Sequence, residues 1–229
     1  MRGVRGGIGG VLLVRDSMTR EVVTVGPETT AAEALALCRG HRIRHLPVLE
    51  GGRLVGVISD RDLRSATPAL GDPQRAAVLQ RIRVGDEMVR DVATARPEDP
   101  IEHAASEMYE KRIGCLPILD GDDLVGIVTS SDVMEALVRL VSAHEPGSRI
   151  EVALPDRPGE LAAVAGIIRD ESVNIVSVLS SEREDGKRVT VFRLDTIDPR
   201  GITESLEEAG YLVLWPPGAG DSGTEAGRP

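Results

Sequence analysis

Apolar and polar positions run twice through the same order along the first 140 residues. Extended runs at Val22-Val23-Thr24-Val25 and Val92-Ala93-Thr94-Ala95 stop at Pro27 and Pro97. Past each proline the apolar residues recur at helical spacing: Ala31, Ala34, Leu35 and Cys38 in one stretch, Ile101, Ala104, Ala105 and Met108 in the other. Thr29 or Thr30 can cap the first helix, and Asp99-Pro100 offers a cap and a first-turn proline to the second. Residues 46–49 and 54–59 predict a hairpin around Glu50-Gly51-Gly52; residues 116–119 and 124–129 predict another around Asp120-Gly121-Asp122. A helix closes each stretch, from Arg61 and from Ser131. The pattern is β-α-β-β-α, twice. A strand over 11–14 precedes the first copy, and residues 67–80 read as a loop with a short helix between the two.

The copies superpose without a gap, residues 14–63 on 84–133. Met18 falls on Met88, Thr24 on Thr94, Arg42-Ile43 on Arg112-Ile113, Leu46-Pro47 on Leu116-Pro117 and Asp62 on Asp132. A unit of that length in two copies is a duplicated module rather than a solenoid. Two such modules pack about a pseudo-twofold axis, and the cleft between them offers two similar sites.

The pattern changes at Arg149. Residues 150–154 predict a strand, Asp156-Arg157-Pro158-Gly159 a turn, and Glu160 a helix start with Leu161, Val164, Ile167 and Ile168 on its apolar face. Residues 174–181 and 188–194 form a predicted hairpin around Glu184-Asp185-Gly186. A helix over 198–210 and a strand over 211–215 complete a βαββαβ order, that of a ferredoxin-like domain.

Composition narrows the function classes. Aromatic residues are 2% of the 229, so the cores must be aliphatic, and the net charge of −10 argues against a general nucleic-acid or membrane-surface binder. No run approaches the ~20 apolar residues of a membrane span. Cys38 and Cys115 build no disulfide framework and read as buried thiols of a reducing, cytoplasmic protein. Residues 1–10 read as a flexible leader and 216–229, rich in Gly, Pro and Ser, as a disordered tail.

The runs Arg42-Ile43-Arg44-His45-Leu46-Pro47-Val48 and Gly56-Val57-Ile58-Ser59-Asp60-Arg61-Asp62, with their partners at 112–118 and 126–132, resemble cystathionine-β-synthase (CBS) domains. Pro155-Asp156-Arg157-Pro158-Gly159-Glu160-Leu161 followed by Val173-Asn174-Ile175 resembles an ACT domain, a small-molecule-sensing module. The order of domains is similar to that of AcuB-type acetoin-utilisation proteins. The expected organisation is an α/β (α+β) chain: CBS domains at 11–70 and 83–142 around a linker at 71–82, a hinge at 143–148, and an ACT domain at 149–215.

The resemblance implies adenine nucleotides (AMP, ADP or ATP) as regulatory ligands, with no cofactor required. Ser59 and Thr129 would meet phosphate, and Asp62 and Asp132 would meet ribose hydroxyls. Adenine would lie near Thr29 and Ala34 in one copy and near Asp99 and Ala104 in the other. A hydroxyl and free N–H groups at a helix start suit phosphate, and a carboxylate suits a ribose cis-diol. Plain helix capping selects the same residue types, so both readings stand. The copies differ in charge: Arg44, His45 and Arg61 in the first stand where the second has Gly114, Cys115 and Ser131. The first site is therefore expected to tolerate more phosphate charge than the second.

In the C-terminal domain the resemblance implies an amino acid held by Asp156, Arg157, Pro158, Gly159, Glu160 and Leu161, with Asn174 of a neighbouring chain; turn and cap chemistry explains the same loop. Cys38, His41 and His45 mimic metal spacing, but the helix is expected to end before Leu46-Pro47, so no metal site is assigned. No nucleophile stands with its base, so no catalytic residue is assigned. The expected protein is a non-catalytic sensor, a homodimer through its CBS and ACT domains that acts on an unidentified partner protein, with no nucleic acid or membrane involved. The alternatives are an interaction scaffold with vestigial sites or an enzyme's regulatory subunit.

Overall fold

The computed structural model describes residues 12–67, 72–141, 146–182 and 187–216. The expected leader, residues 143–145 of the hinge, the 184–186 turn and residues 217–229 of the tail lie outside them. The chain divides into two units, 1–136 and 137–229.

The first unit opens with α1 (Val14–Ser17), α2 (Ala31–His41), the hairpin β1 (His45–Glu50) and β2 (Arg53–Ser59), and α3 (Asp60–Ser65). It continues with α4 (Arg75–Arg81), α5 (Val84–Glu87), α6 (Ile101–Lys111), the hairpin β3 (Cys115–Asp120) and β4 (Asp123–Thr129), and α7 (Ser130–Leu140). Local chemistry explains the starts. Thr30 caps α2 in a reciprocal box: its hydroxyl accepts from the Glu33 N–H at 3.2 Å, and Glu33 accepts from the Thr30 N–H at 2.9 Å. The first hairpin turns on Gly51 and Gly52, with φ of 57° and 86°, values that suit glycine.

Three expectations need correction here. Of the strand expected over 11–14, the described residues 12–14 form none: Leu13 makes one bridge, to Pro100, and Val14 opens α1 with its side chain fully buried. The extended runs before Pro27 and Pro97 shrink to single parallel bridges, Val25 to Val48 and Ala95 to Ile118. Asp99 does not cap α6; its carboxylate accepts instead from the Arg96 N–H at 2.7 Å, and Pro100 occupies the cap position.

Each repeat completes the other. Val14 and Met18 are buried with Ile101, Ala104, Met108, Leu116 and Ile118, the core of the second repeat. Val84, with Leu79, Ile82 and Met88 around it, belongs to the core of Ala31, Leu35, Leu46 and Ile58 in the first. The backbone follows the same exchange. Leu13 bridges Pro100 while Arg83 bridges Thr30, and Thr19 bridges Ile127 while Val89 bridges Val57. Glycine makes room for the incoming methionines: a Cβ at Gly56 would stand 2.5 Å from the Met88 sulfur, and one at Gly126 2.6 Å from that of Met18. Residues 71–82, expected as a linker, thus contain α4 and feed Leu79 and Ile82 into the first core.

The second unit holds β5 (Ser148–Pro155), α8 (Glu160–Asp170), β6 (Ile175–Glu182), β7 (Lys187–Leu194), α9 (Arg200–Glu208) and β8 (Leu212–Trp215). The antiparallel sheet runs β6-β7-β5-β8. Ile150, Val152, Leu154, Phe192 and Leu194 pack with Val164, Ile168, Ile202 and Leu206 of the two helices. That is the expected ferredoxin-like order. Leu161 departs from the predicted apolar face and is 50% exposed, while Val164 and Ile168 of the same helix are buried. Val178 and Leu179 on edge strand β6, and Leu212 and Trp215 on edge strand β8, are exposed.

Candidate functional site

β1 and β2 bring His45 opposite Ser59, and β3 and β4 bring Cys115 opposite Thr129. Ser59 ends its strand and starts α3, and Thr129 ends its strand just before α7. The two strand-to-helix corners open on one cleft of about 820 Å³. Arg44, His45, Ser59, Arg61 and Asp62 line it from the first repeat, and Thr129, Ser131 and Asp132 from the second. Eight of the twelve residues expected to bind nucleotide therefore share one cavity.

The other four do not line it. Ala34 and Ala104 are 0% and 1% exposed, on the core faces of α2 and α6. The Thr29 hydroxyl accepts from the Gly26 N–H at 3.2 Å, and Asp99 is held in its own turn. The Thr29 and Asp99 carbonyls accept from the N–H groups of Val84 and Val14, at 2.9 Å each, so both residues serve the exchange between repeats. The apolar wall comes instead from Val22, Val23, Ile43, Val57, Val92 and Ile113.

A full capping box is made at the first corner, and its carboxylate half at the second. The Asp62 Oδ2 accepts from the Ser59 N–H at 3.1 Å and from its hydroxyl at 2.5 Å, while that hydroxyl accepts from the Asp62 N–H at 3.2 Å. Asp132 Oδ2 accepts from the Thr129 N–H and hydroxyl at 2.8 and 2.6 Å. The hydroxyl protons are committed, so a phosphate here must be met first by N–H groups and cations. One oxygen of each carboxylate is used, and Oδ1 has no hydrogen bond among the described residues, which leaves an acceptor for a ribose hydroxyl. Capping and ligand binding are thus compatible in the same side chain.

Charge differs between the halves. Arg44, Arg61, Arg42 and Arg112 line the cleft, and none makes an ion pair or side-chain hydrogen bond among the described residues. The acids on the walls are Glu21, Asp60, Asp62, Asp91 and Asp132, of which Asp60 is paired with Arg64 at 3.0 Å. His45 faces Asp60, Asp62, Arg44 and Arg61; burial outweighs the acids and holds its pKa below the usual histidine value. A Cβ at Gly114 would lie 2.8 Å from His45 Nε2, so the ring reaches into space the second repeat leaves open. Burial pushes the Cys115 thiol up to about 12, which keeps it protonated and unreactive. α2 ends at His41, so Cys38, His41 and His45 share no helical face.

Arg42 and Arg112 were not singled out as site residues by sequence. Their signal was present in the register, where Arg42-Ile43 falls on Arg112-Ile113, but spacing does not show that a helix cap faces a cavity.

In the second unit, Gly159 precedes α8 at φ 94°, a conformation suited to glycine. The loop is already satisfied: Asp156 accepts from Arg188 Nε at 2.8 Å, Arg157 pairs with Glu160 at 3.1 Å, and the Tyr211 hydroxyl donates to Glu160 at 3.0 Å. Pro158 and Leu161 are exposed, and Asn174 is exposed with its carbonyl accepting from the Asp195 N–H. The Glu160 carboxylate is held near the start of α8 by Arg157 and Tyr211.

Among the described residues no helix is long and apolar enough to cross a membrane. The CBS domain family matches residues 14–68 and 84–139, and the ACT domain family residues 148–210. A CBS domain-containing protein of Bacillus subtilis, YhcV, is 35% identical over 137 residues, 60% of this chain and 91% of its own. A CBS domain-containing protein of Dictyostelium discoideum is 33% identical, over 60% of this chain and 99% of its own. AcuB of Vibrio cholerae, named for acetoin utilisation, has a solved structure that covers 59% of this chain and 99% of its own, at 30% identity and a TM-score of 0.50.

Proposed function

The chain belongs to the CBS-domain family and carries two CBS domains and a C-terminal ACT domain, and from that premise we propose that it is a non-catalytic sensor of adenine nucleotides. One observation carries the reading: the corners with Asp62 and Asp132 open on a single cleft that also holds four guanidinium groups with no ion pair or side-chain hydrogen bond among the described residues. Carboxylate oxygens suit ribose hydroxyls, guanidinium forks suit phosphate, and the apolar wall of valines and isoleucines suits a base. With Arg44, His45 and Arg61 against Gly114, Cys115 and Ser131, the first half holds the higher phosphate charge. Ligand binding then acts on a partner protein by favouring one arrangement of the molecule. An amino acid at residues 156–161 and a role in acetoin metabolism belong to the same reading.

Titration calorimetry with AMP, ADP and ATP tests it. Asp62→Ala and Arg44→Ala are each expected to weaken ATP by about tenfold or more, the size of one charged hydrogen bond. Parent-like binding by both variants overturns the assignment.

The second reading is a scaffold that joins copies or partners through sheet edges. Exposed Val178, Leu179, Leu212 and Trp215 on β6 and β8 favour it, since unpaired apolar edges are ready templates for pairing. Absence of any nucleotide effect on the melting temperature, together with a stable dimer, would select this reading.

A further inference from the structure

Helices α2 and α6 both end on an arginine in left-handed backbone: Arg42 at φ 56°, ψ 40° and Arg112 at φ 54°, ψ 42°. Glycine or asparagine normally takes that position, because a Cβ there is sterically penalised. The caps need only the main chain. The Arg42 N–H reaches the Arg39 and Cys38 carbonyls, and the Ile43 N–H reaches Cys38 at 2.9 Å; Arg112 and Ile113 repeat this on Met108 and Tyr109. Neither side chain has an ion pair or hydrogen bond among the described residues, yet both line the cleft. The duplication supplies a further observation. Arginine stands at this position in both copies, while positions 44, 45 and 61 differ from 114, 115 and 131.

We propose that Arg42 and Arg112 are a shared pair of ligand-binding residues of the cleft, each presenting a guanidinium to the phosphate of a bound nucleotide. The inference rests on the nucleotide reading and sharpens it. The second half is not neutral: Arg112 gives it one fork, matched to a nucleoside monophosphate. The first half adds Arg44 and Arg61 to Arg42 and takes the polyphosphate. A residue held in an unfavourable backbone region where nothing local requires it marks a site at which binding outweighs stability.

Glycine separates the two roles, because it relaxes the backbone and removes the cation in one change. In the full chain, Arg42→Gly and Arg112→Gly are compared with the parent for ligand-free melting temperature and for AMP and ATP binding by calorimetry. The expected result is a melting temperature equal to or above the parent's in both. AMP binding falls about tenfold or more in Arg112→Gly, and ATP binding falls similarly in Arg42→Gly. If the parent binds and both variants bind within about twofold of it, or if their melting temperatures fall, the arginines are structural caps and the inference is overturned. If the parent binds neither nucleotide, the broader reading fails first and takes this one with it.

Discussion

His45 and Gly114 occupy one space from opposite repeats. The imidazole tip stands 2.8 Å from where a Cβ of residue 114 would sit, so a side chain there has room only if the ring shifts. The charge asymmetry of the cleft is therefore also steric: the second repeat has no room for a counterpart of Arg44 while His45 keeps its position. Gly114→Ala is expected to destabilise the protein by about 1–3 kcal/mol, the usual cost of overpacking. Adding His45→Ala should return most of that loss. Chemical denaturation of both single variants and the double variant measures it as a double-mutant cycle; additive effects would show that the ring moves aside freely. At the same scale, the corner acids were legible from sequence as residues and ambiguous as roles. Ser59-x-x-Asp62 reads equally as cap and as ligand, and the structure shows the cap made with one carboxylate oxygen that has no hydrogen bond among the described residues. Ala34 and Ala104 show the ambiguity of small apolar residues on a helix face, which read alike whether that face meets a base or a core; here both are buried.

Helices and hairpins were the most legible elements. Thr30 with Glu33, Gly51 with Gly52, and the spacing Ala31-Ala34-Leu35-Cys38 each state a local structure in local chemistry. The clearest check is the capping box of α2. Thr30→Ala removes the acceptor for the Glu33 N–H and the hydroxyl that donates to the Glu33 carboxylate, and leaves that carboxylate its bond from the backbone N–H of residue 30; the two bonds together hold its pKa below the ordinary glutamate value. A loss of about 1 kcal/mol is expected by thermal or urea unfolding. Thr29→Ala should cost less, since its hydroxyl serves only the Gly26 turn. Elements whose partners are distant were poorly legible. Val14 and Met18 announce burial by being apolar, but nothing in their neighbourhood says that their core lies more than eighty residues downstream, around Ile101 and Met108. The same ignorance made residues 11–14 a predicted strand: an apolar run of that length fits an extended segment as well as a buried helical turn.

Across the whole molecule, composition set the broad terms and the division into units sets the response. Aliphatic cores account for both units, with Phe192 the largest fully buried side chain. If nucleotide binds the cleft, it stabilises the native first unit by mass action, about 2.7 kcal/mol at a hundredfold excess over Kd. Hydrogen exchange should therefore slow with ATP across β1 to β4 and the corners at 59–62 and 129–132, while β5 to β8 keep the rates of the free protein. Slowing confined to the second unit would place the nucleotide elsewhere. The exchange of leading segments has a further consequence for synthesis. Residues 12–18 leave the ribosome long before the rest of their core, which is the last of the first unit to be completed. This segment must wait, its two apolar anchors uncovered, until the second hairpin has emerged. The nascent first repeat is itself short of Val84 and Met88 until they follow, so neither half is a finished object when its own hairpin appears. The duplicated modules are born in sequence, and each is locked only by a link that the other end of the unit supplies.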